Sequence, residues 1–275
     1  MKVTLFITTF LAAASLGLAL PQSPPTPSNV TAHSTSKGLP QIEQILADVP
    51  GGVLGDLSQK CQSALLGLVT DPKFLKCIPI ASLVPLLPLV TDPSIIKNFI
   101  ADPVKNFPPL ETPLQAFSTA FCPVPKCSDP DVAGAIKIIQ DGCKEDLDKK
   151  NQFIVMVFDA AVFYSPIHDI MCFQFDKAFC WDESILTVIK LPPSPIKVTG
   201  DKLLDAVAVS DPSAVCTKCN KAIVNTFLNF ITAKESDLAR QILASFGIDQ
   251  AKLDQLRTFV AVKCGINFED GKIPK

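Results

Sequence analysis

Nucleophilic catalysis by serine needs a base, most often histidine, and the chain has two histidines. One is His33. The other stands in Ser165-Pro166-Ile167-His168-Asp169, which gathers the three residue types of a hydrolytic triad into one turn. Neighbours that close rarely converge on one substrate, and no G-x-S-x-G elbow is present, so the segment reads as an ordinary loop. Cys216-Thr217-Lys218-Cys219 is a C-x-x-C. At the start of a helix such a pair can lower a thiol's pKa and shuttle disulfides. It lacks a preceding βαβ unit and has eight other cysteines to compete with, so it reads as structural bridging. Zinc would require a second dithiol or a histidine pair at similar spacing, and Cys122-x4-Cys127 does not supply one. Asp159 is a lone carboxylate within the most apolar stretch, Phe153 to Tyr164, where burial would raise its pKa. The plainer alternative sets it on an exposed sliver of its helix. Acidic residues are spread along the chain, so no carboxylate pair of a glycosidase stands out. No catalytic, cofactor-binding or metal-ligating set emerges, which favours a non-enzymatic protein.

The ten cysteines are Cys61, Cys77, Cys122, Cys127, Cys143, Cys172, Cys180, Cys216, Cys219 and Cys264. An even number in an exported chain implies a disulfide framework. Spacing cannot choose among roughly 945 ways of forming five bridges. The short separation points to Cys172 with Cys180, and the other bridges are expected to join helices.

The elements that must hold these residues announce their own starts. Asp-Pro recurs at Asp71-Pro72, Asp92-Pro93, Asp102-Pro103, Asp129-Pro130 and Asp211-Pro212. Asp accepts from the free N–H groups of a first helical turn, and Pro after it gives up an N–H that had no partner there. Helical stripes follow. Val132, Ile136, Ile139, Cys143 and Leu147 share one face, and Cys216, Cys219, Ile223, Phe227, Phe230 and Ile231 share another. Leu238 to Phe246 forms a stripe that stops at Gly247. Asp249 opens another through Leu253, Leu256, Phe259, Val260 and Cys264, closed by Gly265. Leu54, Leu57, Cys61, Leu65, Leu66 and Val69 mark an earlier helix, and Ile42, Ile45 and Leu46 a short one before Pro50. Phe153 to Tyr164 is apolar nearly all round, which calls for neighbours on every side; a buried strand over Phe153 to Phe158 is the alternative. The expected fold is all-α: a single disulfide-stapled multi-helix globule with a buried central helix.

The N-terminus has a different texture. Lys2, the apolar run from Leu5 to Leu16, and small residues at Gly17 and Ala19 read as a secretory signal peptide over residues 1–19. Residues 20–38 are rich in Pro, Ser and Thr and read as a disordered tail. That tail contains the chain's one N-glycosylation sequon, at Asn29-Val30-Thr31. Residues 39–275 form the helical cysteine-rich domain, with Pro192-Pro193-Ser194-Pro195 as a stiff connection inside it. No later stretch has the roughly 20 apolar residues of a spanning helix, so no transmembrane anchor is expected in the mature chain. Net charge is −2 and only two arginines are present, Arg240 and Arg257. A nucleic-acid surface needs clustered basic residues, so that partner class is excluded. Eighteen Phe stand against one Tyr and one Trp. Phe has no polar handle, so these rings serve an interior or an apolar ligand.

The stretch Cys61-Gln-Ser-Ala-Leu-Leu-Gly-Leu-Val-Thr-Asp-Pro-Lys-Phe-Leu-Lys-Cys77, with Cys216-Thr-Lys-Cys219-Asn-Lys-Ala-Ile223 later, resembles a group of uncharacterised cysteine-rich secreted proteins of fungi. The resemblance spans about residues 55–265 and implies no activity for any position. The C-x-x-C helix is also similar to saposin-like lipid binders, which are far smaller. The resulting expectation is an extracellular, non-enzymatic protein that binds an apolar or lipid ligand, or associates with a cell surface or wall. Its rivals are a secreted hydrolase with an unrecognised site, and a structural or host-interaction factor.

Overall fold

The structure is a computed structural model that describes residues 56–78, 84–86, 94–95, 98–99, 102–192, 202–233, 237–245 and 247–274. The signal-like segment, the tail with Asn29, the helix expected from Ile42, the Asp92 cap and most of the Pro192–Pro195 connection lie outside these residues. Within them the chain is helical, with fourteen α-helices and one two-stranded hairpin.

Helix α1 (Gln59–Thr70) begins at Ser58, whose hydroxyl accepts from the Cys61 N–H. Asp71 caps α2 (Pro72–Leu75) and Asp102 caps α3 (Pro103–Asn106), each directly before its proline, as the sequence predicts. After α4 (Pro108–Phe121) comes α5 (Asp129–Gly142), where the cap is Ser128, one residue earlier than expected. Ser128 has extended backbone and Asp129 is already the first helical residue. Cys143 then ends the stripe expected to run on to Leu147, and α6 (Lys144–Asp148) starts as a separate turn.

Asn151 caps α7 (Gln152–Val162), accepting from the N–H groups of Phe153 and Ile154, so this stretch is a helix and the strand alternative falls. The expected loop over Ser165 to Asp169 is helical as well, within α8 (Tyr164–Cys172), which bends from α7 by 73°. Pro166 explains the break: it offers no N–H to the carbonyl one turn back, yet suits the first turn of a new helix. Among the described residues no single helix is long and apolar enough to cross a membrane, although the bent pair α7–α8 passes that test on length and composition together.

Strands β1 (Gln174–Phe175) and β2 (Ala178–Phe179) pair antiparallel, Gln174 with Phe179. They turn through Asp176 and Lys177, both with positive φ. The chain continues through α9 (Cys180–Ile189) and α10 (Lys202–Val209). Beyond Asp211 it forms two helices where one was expected: α11 (Pro212–Val215), and α12 (Lys218–Thr232) with Thr217 as its cap. The last two are α13 (Asp237–Ser245) and α14 (Gln250–Cys264), the latter capped by Asp249 and closed by Gly265 at φ 86°.

Three hydrophobic clusters fill the interior. The largest joins α4, α8 and α9 around Phe107, Phe117, Phe121, Met171 and the fully buried Trp181. The Trp181 indole N–H donates to Ser118, also fully buried, at 3.1 Å. A second cluster gathers the end of α7, α12, α13 and α14 through Val162, Phe163, Ile231, Leu243, Ile248 and Leu253. The third ties α1, α5 and α7 through Leu57, Cys61, Ile139, Cys143 and Ile154.

Five disulfides bind these elements: Cys61–Cys143, Cys77–Cys127, Cys122–Cys172, Cys180–Cys219 and Cys216–Cys264. The expected Cys172–Cys180 pair is not among them. The hairpin register sets Phe173 opposite Cys180, whose N–H donates to the Phe173 carbonyl. Cys172 is therefore one step out of register, and on a pleated pair a one-residue step points to the opposite face.

Candidate functional site

The three triad-like residues all sit on α8, and the structure does not assemble them. His168 is buried, and neither ring nitrogen has a hydrogen-bond partner, Ser165 included. Its Nδ1 lies 3.6 Å from the Asp169 carboxylate, too far for a sound hydrogen bond. The other Asp169 oxygen takes Lys126 Nζ at 2.7 Å. Burial would raise the Asp169 pKa, but the contacts with His168 and Lys126 outweigh it and hold the carboxyl below its usual range. The imidazole packs edge-on to Phe121 at 4.9 Å, with Tyr164 at 5.9 Å. It is a ring of the aromatic core.

The C-x-x-C is divided between two helices. Cys216 bonds Cys264 of α14, and Cys219 bonds Cys180 of α9. All ten cysteines are bridged, so no thiol is left for exchange or metal binding. Among the described residues no group of three or more His, Cys, Asp or Glu side chains is placed to hold a metal ion.

Asp159 is the sequence-predicted residue to which the structure gives a distinctive setting. Helix α7 is apolar at every position from Phe153 to Val162 except this one. Of those ten residues only Ile154 and Val162 are buried and the rest are half-buried, which corrects the expectation of a helix covered on every side. Phe153, Ile154, Val157, Phe158 and Ala161 point into the third cluster, and Val162 and Phe158 reach the second. Val155, Met156, Asp159 and Ala160 belong to none of the clusters and are half-buried. On a 3.6-residue helix these four share one face, with Asp159 one turn beyond both Val155 and Met156. Burial alone pushes the Asp159 carboxyl up to about 6, with no neighbouring charge contributing. Its side chain has no hydrogen-bond or ionic partner among the described residues.

The half-buried stripe could not be read from sequence because hydropathy does not say which face of an all-apolar helix its neighbours choose. Lys126, which holds Asp169 from a loop, gave no signal either: it is an isolated lysine between Pro125 and Cys127.

A family model matches residues 55–270 of the chain. The chain belongs to the family described as domain of unknown function DUF7729. The matched range of DUF7729 contains all ten cysteines and Asp159, and begins just before α1. No curated protein and no solved structure matches the chain at a significant level.

Proposed function

We propose that this DUF7729 chain is an extracellular, non-enzymatic protein of the secreted fungal kind that binds apolar, lipid-like ligands on the half-buried face of α7 that carries Asp159. Five disulfides are typical of an oxidising compartment. The signal-like residues 1–19 and the sequon at Asn29 support export along the same route. The observation that carries the binding proposal is the stripe of Val155, Met156 and Ala160: apolar, half-buried and in none of the clusters that hold the fold together. Leaving part of the most apolar helix uncommitted sacrifices burial worth about 25 cal/mol per Å2. A ligand would recover it.

The test is titration of a neutral apolar fluorophore such as Nile red against the oxidised protein. Saturable enhancement is expected for the wild type, and a loss of at least tenfold in affinity for Met156→Lys, which sets a charge on the stripe. No saturable binding, or equal binding by the variant, would overturn the proposal.

A further inference from the structure

Several charged side chains on the elements packed around α7 have partners of their own. On α5, Lys137 pairs with Asp141 at 2.9 Å. Around α6, Lys149 pairs with Glu145 and Lys144 with Asp148. Beside α8, Lys126 pairs with Asp169, and on α13 Arg240 pairs with Asp237. The Asp146 carboxylate accepts from both the hydroxyl and the N–H of Ser58. Asp159 differs from all of these in having neither a cation nor a hydrogen-bond donor among the described residues.

We infer that the ligand of the α7 stripe is a long-chain aliphatic amine, its ammonium paired with the Asp159 carboxylate and its alkyl chain lying along Val155, Met156 and Ala160. This rests on the proposal that the stripe binds apolar molecules, and adds the chemistry of the end group. A carboxylate partly withdrawn from water without a partner is disfavoured in its charged form, and an opposite charge within about 4–6 Å relieves that penalty. The ammonium supplies both the charge and three donors. An aliphatic alcohol supplies a single neutral donor and ranks second. A fatty acid would bring a second carboxylate to the same spot and ranks last. Sugars fit poorly, because the aromatic platforms they favour are spent elsewhere: Trp181 is fully buried and Tyr164 is 9% exposed. A lone carboxylate is too few ligands for a calcium ion, which takes about 6–8 oxygens.

The experiment compares dodecylamine, dodecanol and dodecanoate, each below its micellar concentration, as competitors of Nile red at a pH of about 8, where Asp159 is ionised. Wild-type protein is expected to bind the amine at least tenfold more tightly than the carboxylate, with the alcohol between them. Asp159→Asn, whose helical content is checked by circular dichroism, is expected to lose that order. Equal affinities in the wild type, or an order that survives in Asp159→Asn, would overturn the inference and leave the apolar-binding proposal standing. If none of the three competes, both fall.

Discussion

At the scale of single residues, two aspartates affect stability in opposite senses. Asp159 has its folded pKa raised to about 6 from 3.8 by burial. An acid shifted that way leaves the fold at full stability below pH about 3.8 and weakens it as pH rises through about 6. Asp159→Asn removes the ionisation. The predicted gain is about 1–2 kcal/mol at neutral pH, discounted because the side chain is only partly buried. Urea unfolding at neutral pH and near pH 4 should show the gain in the first condition and not in the second. Asp146 behaves in reverse. Burial would raise its pKa, but the hydroxyl and N–H of Ser58 outweigh that and the carboxyl lies below 3.8. Its contribution is therefore present above pH 3.8 and fades as acid takes the pH below that value. Asp146→Asn should cost about 1–3 kcal/mol at neutral pH, because it weakens the bonds that hold the Ser58 cap of α1. Asp159 was visible in the sequence as an anomaly, a lone charge in an apolar run. Asp146 was not, because its partner lies 88 residues away and nothing local marks the pairing.

At the scale of elements, Gly142 lets α1 and α5 cross closely: a Cβ there would collide with the Cβ of Ala64. Gly142→Ala is predicted to lower stability by about 1–3 kcal/mol, although alanine favours helix by about 1 kcal/mol. A rise in Tm for that variant would mean the contact yields more easily than its geometry suggests. Four helix starts were legible to the residue, because an Asp cap is local chemistry: Asp71, Asp102, Asp211 and Asp249 each bond the N–H group their position requires. Continuity was less legible. A cysteine on an apolar stripe looks like one more helical residue, yet Cys143 and Cys216 each end one, their backbones held away from helical values beside a bridge. The hairpin was missed outright. Asp176 and Lys177 both adopt left-handed backbone; Asp tolerates it, but Lys177 stands where a hairpin turn usually has Gly, so the turn lacks the signature that would announce it.

At the scale of the molecule, the five bridges fall into two sets. Three link cysteines between Cys61 and Cys172, two link cysteines between Cys180 and Cys264, and none joins the sets. The halves meet through the β1–β2 hairpin and through packing of α8 on α9 and α12. Within the second half, Asn225 and Asn229 of α12 donate to the carbonyls of Phe268 and Gly271 and hold the C-terminal segment down. Arg240 and Lys263 donate to the free carbonyls at the ends of α12 and α10. A protease site inserted between Asp176 and Lys177 should therefore, once cut, give two pieces that stay together in native buffer and separate in denaturant without reductant. Pieces that stay joined in denaturant would show a bridge between the halves. That division was invisible in the sequence, because pairing depends on which helices touch, and touching is decided by packing. The measurement closest to the central claim is native mass spectrometry of the fully oxidised protein with dodecylamine or dodecanol added. Discrete one-to-one complexes are expected, lost in Met156→Lys; a protein mass unchanged by either molecule would contradict the account.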